Sequence, residues 1–147
     1  MPTLTISLQG QPRIERVFEA LDEALDTTAI LDQGGALLLN RLRTRYLKQI
    51  DPDGYKWERS KAAERRKKIG RGGGTLYDTG RLFGSIQLYA DTANTRAIGT
   101  DVPYAAYAQD GPPERTYLGF GEGDAKLVQD FLIKRITEAL NGLESAP

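Results

Sequence analysis

Cysteine and histidine are both absent from the 147 residues, and methionine and tryptophan occur once each. Without thiols or imidazoles there are no disulfides, no cysteine nucleophile, no serine–histidine relay and almost no zinc chemistry. Catalysis of any kind would have to rest on carboxylates, Lys, Tyr, Ser or Thr. Long apolar runs are missing too: the longest uncharged one, Gly34 to Leu39, is far short of the ~20 residues that span a bilayer. The opening MPTLTISLQGQP has neither the basic leader nor the apolar stretch of a signal peptide, which predicts cytosolic synthesis and no membrane partner. No Walker-type glycine loop occurs, and Gly70-Arg71-Gly72-Gly73-Gly74 lacks the strand-to-helix setting of a phosphate cradle. No cofactor or metal is expected.

What is present has the composition of a soluble globular domain, 39% hydrophobic and 27% charged. A chain of this length forms one domain, 1–147, able to take roughly 70% of its unfolded surface out of water. The net charge is zero, but it is unevenly spread. Residues 1–40 carry −4, residues 41–71 carry +8 and residues 72–147 carry −4. A basic block between acidic flanks suits head-to-tail self-association or an anionic partner, although a solvated helix and loop would look the same.

Leu4, Ile6 and Leu8 alternate over Thr3–Leu8, predicting a half-buried strand. From Pro12 the period lengthens: Ile14, Val17, Phe18, Leu21 and Leu25 form the apolar stripe of a first helix. Asp26-Thr27-Thr28 offers caps for a second, running to about Gln49, with Leu38, Leu42 and Tyr46 on its apolar face and Arg41, Arg43, Arg45 and Lys48 on its remaining surface. Gly34-Gly35 inside it predicts a kink or the close approach of a neighbouring backbone. Asp51-Pro52-Asp53-Gly54 then stops the helix with turn chemistry, and Trp57 anchors the exit on the core. The segment at about 58–75 reads as a mobile basic loop that can be helical over Ala62–Lys68. Its cations Arg59, Lys61, Arg65, Arg66, Lys67, Lys68 and Arg71 are the candidate docking residues for a protein partner or DNA.

Beyond the loop, Ser85–Ala90 and Thr95–Thr100 read as a hairpin, Val102–Gln109 as a short helix with Pro103 at its first position, and Thr116–Phe120 as a last strand. The closing helix starts at Asp124, carries Leu127, Val128, Phe131, Leu132, Ile136 and Leu140 on one stripe, and ends at Asn141-Gly142. The fold class expected is α+β: an antiparallel sheet packed against an N-terminal helical pair and a C-terminal helix, with a long basic loop.

Asp78-Thr79-Gly80 is the tripeptide of retroviral-type aspartic proteases, whose paired carboxylates need no histidine or cysteine. Such enzymes are almost wholly β and follow the glycine with a small residue. Here Arg81-Leu82-Phe83 follows and helical patterns fill half the chain. The stretch reads better as a structural hinge, in which Asp78 or Thr79 caps a short helical turn at a value of about 1 kcal/mol and Gly80 supplies backbone freedom.

Several signatures share an order and spacing: Asp51-Pro52-Asp53-Gly54 with Trp57, Leu76-Tyr77-Asp78-Thr79-Gly80-Arg81-Leu82 with Ser85-Ile86, Ile98-Gly99-Thr100 with Pro103-Tyr104-Ala105, Gln109 with Gly111, and Tyr117-Leu118-Gly119. Together they resemble the phage virion morphogenesis family, the Mu-type tail completion proteins, with distant relatives among head–tail joining proteins. Thr116, Asp110 and Ala108 stand where that family favours proline, an aromatic and histidine. The resemblance implies a non-enzymatic virion protein of the neck or upper tail that forms a homo-oligomeric ring, six-fold or twelve-fold. It would be made in the host cytoplasm and would touch the head connector or adaptor and the tail terminator or tail tube. Non-specific contact with genomic DNA through the basic loop is the alternative function.

Overall fold

The computed structural model describes residues 12–111 and 113–145. The strand expected at Thr3–Leu8 lies outside them. Helix α1 spans Pro12–Ala24 and α2 spans Thr27–Lys48, the two separated by Leu25 and Asp26. Asp26 is the N-cap of α2: its carboxylate accepts from the Ala29 amide at 3.1 Å, satisfying one of the donors a helix start leaves over. Gln49 ends α2 in the left-handed region, at φ 58°, and its N–H donates back to the carbonyls of Arg45 and Tyr46.

The Gly34-Gly35 pair lies within α2 and marks close approaches, by side chains rather than by backbone. A Cβ on Gly35 would fall 2.7 Å from Leu88 Cδ1, and one on Gly34 would fall 3.4 Å from the Phe131 ring. One glycine thus seats the β-hairpin on α2 and the other seats the C-terminal helix. The hairpin is β1, Gln87–Thr92, paired antiparallel with β2, Thr95–Gly99. Its register sets Leu88 opposite Ile98 and Ala90 opposite Arg96, with an irregularity between Ala90 and Thr92. Among the described residues these two strands are the whole sheet, so the fold is α+β with helices outweighing strands.

Three short helices complete the middle of the chain: α3, Lys61–Lys68; α4, Arg81–Ser85; and α5, Ala105–Asp110. Helix α5 begins two residues beyond Pro103, so that proline precedes the helix instead of opening it. The last helix, α6, Glu122–Glu144, runs past Asn141-Gly142. A glycine in a helix costs only about 1 kcal/mol relative to alanine, too little to break a 23-residue element. Helix α6 packs on both α2 and α1. Gly34 meets Phe131 while Arg45 meets Asp124, so α2 and α6 run antiparallel.

The strand expected at Thr116–Phe120 is not formed; the segment is irregular. Side chains take the place of a partner strand, which resolves where its backbone groups find partners. Trp57 Nε1 donates to Thr116 O at 3.2 Å, Gln109 Oε1 accepts from Leu118 N at 2.9 Å, and Arg45 Nη2 donates to Gly119 O at 2.8 Å.

The core collects around the C-terminal half of α2. Leu42 and Tyr46 come from that helix, Trp57 from the turn after it, Leu82 and Ile86 from the α4 region, and Val102, Ala105 and Tyr117 from the last third. Burial pushes the phenols of both Tyr46 and Tyr117 up, Tyr117 to about 12, with the Asp110 carboxylate adding to the shift there. Both have a folded pKa above the ordinary value near 10, so their contribution is complete below pH 10 and is lost above it, that of Tyr117 as pH climbs through about 12. Urea midpoints are expected to hold steady from pH 8 to 9.5 and to fall sharply by pH 11.5. The two buried phenols should ionise together with unfolding rather than ahead of it.

Candidate functional site

The turn at Asp51-Pro52-Asp53-Gly54 is built as its residues imply. Asp51 Oδ1 accepts from the Asp53 and Tyr55 amides, both at 2.9 Å, and Gly54 takes φ 92°. A bridge between Ile50 and Lys56 closes it, and Trp57, 8% exposed, turns its ring edge-on to Tyr46 at 5.3 Å between centroids.

The basic stretch read as a loop contains α3, and the physical reason is a start signal inside it. Ser60 Oγ accepts from Ala63 N at 3.1 Å, while the Ser60 amide donates to Thr75 Oγ1 at 3.0 Å, with Thr75 itself fully buried. Arg66 does not face solvent as its neighbours do. Its guanidinium donates to Gly74 O at 2.8 Å and to Tyr77 O, and so ties the helix to the chain that follows. The glycines between are packed as well as pliable: Gly73 has φ 92°, and a Cβ there would lie 2.2 Å from Tyr77 O. Of the seven candidate docking cations, Arg59, Lys61, Arg65, Lys67, Lys68 and Arg71 remain exposed, beside an Ile69 that is 70% exposed.

Asp78 is not the cap of α4. That position belongs to Gly80, at φ 82°, which has no side chain with which to accept. Thr79 Oγ1 supplies the one local bond, from Arg81 N at 3.3 Å. The Asp78 carboxylate turns the other way and pairs with Arg71 at 3.0 Å, with Arg66 at 3.8 Å, so it fastens the end of the basic segment. Between α3, this stretch and α5 lies a cleft of about 380 Å³ with Ala62, Leu76, Tyr77, Leu82 and Tyr104 along its floor. Arg81 stands over the Tyr104 ring at 5.9 Å on its lip.

Two constellations were not legible as such in the sequence. Arg45, expected on the surface of α2, is 8% exposed and meets Asp124 at 2.5 Å, while Arg41 reaches the other carboxylate oxygen at 2.7 Å. Asp124 Oδ2 also accepts from Gly121 N at 2.7 Å. The available signal was the Arg41/Arg45 spacing of four together with an aspartate in the first turn of a later helix. Second, the apolar stripe of α6 is only half used. Leu132 is 38% exposed, Ile133 55%, Ile136 39% and Leu140 38%, with Phe120 at 61% beside them. Phe120, Leu132, Ile133 and Ile136, with Leu38 and Val128, line an almost wholly apolar groove of about 560 Å³.

No group of acidic side chains that could hold a metal ion occurs among the described residues, and none of their helices is long and apolar enough to cross a membrane. No curated protein and no solved structure gives a match. A sequence profile of the phage virion morphogenesis family matches residues 11–137, a span that takes in α1, the Asp51 turn, the Asp78 stretch, the hairpin and most of α6. On that match the chain belongs to the phage virion morphogenesis family, and it is a virion-associated structural protein.

Proposed function

We infer that the protein is a subunit of the phage neck or upper tail that assembles into a closed ring, completes the tail and joins it to the head connector. The observation carrying this reading is the apolar groove along α6, which the described residues of a lone subunit leave exposed. Four large side chains exposed together there, at 38–61%, are more than scattered surface apolar residues. A second copy of the chain covers the groove, because a ring interface is heterologous and needs an apolar patch that mates with a different patch on the next copy. The reading is non-enzymatic. Asp78, the one residue with a catalytic look, is engaged by two arginines, whereas an aspartic-protease pair needs two carboxylates sharing a proton.

Purified protein is expected to form uniform rings under negative-stain microscopy, alone or with the connector and tail proteins of its phage. A uniform monomer in both conditions would overturn the reading. The second reading, non-specific DNA contact, is favoured by the exposed Arg65, Lys67, Lys68 and Arg71. Binding of that kind falls with salt by a log-log slope of about −0.9 per phosphate neutralised. Fluorescence anisotropy with duplex DNA is therefore expected to show a steep salt dependence if DNA is the ligand, and no binding at low salt removes that reading.

A further inference from the structure

Helix α2 separates two poles of opposite charge. At its N-terminal end lie α1 and the α1–α2 turn, where Glu19, Asp22 and Glu23 are exposed. Their spacing of three and four puts them on one helical face, where like charges repel by a few tenths of a kcal/mol per pair. At the C-terminal end lies α3, because Tyr46 and Gln49 hold Leu76 and Thr75, and Arg66 ties α3 to that same stretch. A helix of 22 residues is about 33 Å long, so the poles of one molecule cannot reach each other.

We propose that the cleft between α3 and α5 receives the acidic face of helix α1 from a second copy of this chain. The proposal rests on the ring reading and deepens it by naming one pair of mating surfaces. The cleft has the form of a helix seat. Its floor is apolar and aromatic, from Ala62, Leu76, Leu82 and Tyr104, and Arg81 lines it. Arg65 does not line the cleft itself, but it is exposed on α3 three positions from Ala62, which does, and stands as a second cation beside it. Asp78 does not cancel this charge, because Arg71 and Arg66 already engage it. Seating Glu19, Asp22 and Glu23 between Arg65 and Arg81 relieves the repulsion on α1 and places each pole against its opposite. Because the two surfaces differ and sit at opposite ends of α2, each copy keeps one free pole of each kind, and the contact propagates head to tail.

The test is a charge exchange. One variant carries Arg65→Glu and Arg81→Glu; the other carries Glu19→Lys and Asp22→Lys. Sedimentation velocity is run on the wild type, on each variant and on their equimolar mixture, with circular dichroism as a check on folding. The wild type is expected to associate, and to do so at least tenfold more weakly in 1 M salt than in 0.1 M, where the Debye length is about 10 Å rather than 3 Å. Each folded variant should associate at least tenfold more weakly than the wild type, since its cleft and its α1 then bear the same sign while the α6 groove is unchanged. The mixture should recover association, because each cleft then meets an α1 of opposite sign on the other variant. A wild type that associates while both variants associate equally well, or while their mixture associates no more strongly than either variant alone, overturns this contact and leaves the ring reading standing. A wild type that is monomeric with and without its phage partners overturns both.

Discussion

Replacing Asp124 with alanine is expected to cost the fold about 3–5 kcal/mol, the usual result of breaking a buried ion pair from one side. The carboxylate is 2% exposed and the Arg45 side chain 10%, so its loss strands a guanidinium where water cannot reach it. Arg45 would keep its bond to Gly119 O, which satisfies a donor but not a charge. Arg41 offers the internal control: it reaches the same carboxylate but is 44% exposed, and Arg41→Ala is expected to cost no more than about 1 kcal/mol. At about 2–4 °C per kcal/mol for a domain of this size, the two variants separate in a thermal melt by roughly 10 °C. The pair also sets geometry, since it pins the first turn of α6 to the C-terminal half of α2 and so fixes the pose of the apolar groove. Asp124→Ala should therefore impair assembly at temperatures where the variant remains folded. Equal melting temperatures for the two variants would show that the clamp carries no structural weight.

The parts of this fold that were legible in the sequence are those where one residue acts on its own backbone. Asp26 as a cap, Asp51 and Gly54 as a turn, and the hairpin all follow from local chemistry and are found where their residues imply, except that β1 runs over Gln87–Thr92 and not Ser85–Ala90, because Ser85 still belongs to α4. Local reasoning failed where a distant partner decides. Arg45 looks like a surface cation until Asp124 is brought to it from 79 positions along the chain. Thr116–Phe120 has the composition of a strand but finds Trp57, Gln109 and Arg45 in place of a neighbouring strand. Asp78 was read as a cap because it precedes Gly80, yet the cations ahead of it in the chain have the stronger claim. The basic segment, judged by its lack of apolar period, turned out to be seated by Ser60, Arg66 and Thr75, polar residues that periodicity does not count. The block of charge at Arg59–Arg71 was legible, but the cleft beside it was not, because its floor comes from α4 and α5 as well as α3.

Tyr46→Ala is expected to have an effect as large as that of Asp124→Ala, for a different reason. Tyr46 is 1% exposed and its ring lies 5.3–5.5 Å from those of Trp57, Phe83 and Tyr117, each supplied by a different segment. Its hydroxyl donates to Leu76 O, at the head of the Asp78 stretch. The turn after α2, the hinge before α4 and the irregular run before α6 are thus packed around one side chain on α2, which none of the three segments contains. Truncation removes that common surface and leaves a cavity, at a cost of about 3–5 kcal/mol. Tyr46→Phe keeps the ring and loses only the donor to Leu76 O, costing about 1–2 kcal/mol as an unsatisfied carbonyl. Urea denaturation of the pair separates packing from hydrogen bonding. If phenylalanine costs as much as alanine, the bond to Leu76 and not the aromatic cluster holds the three segments together. The same comparison bears on alkaline unfolding. In Tyr46→Phe only Tyr117 remains to carry the loss of stability above pH 10, so the fall in urea midpoint should be shallower than in the wild type.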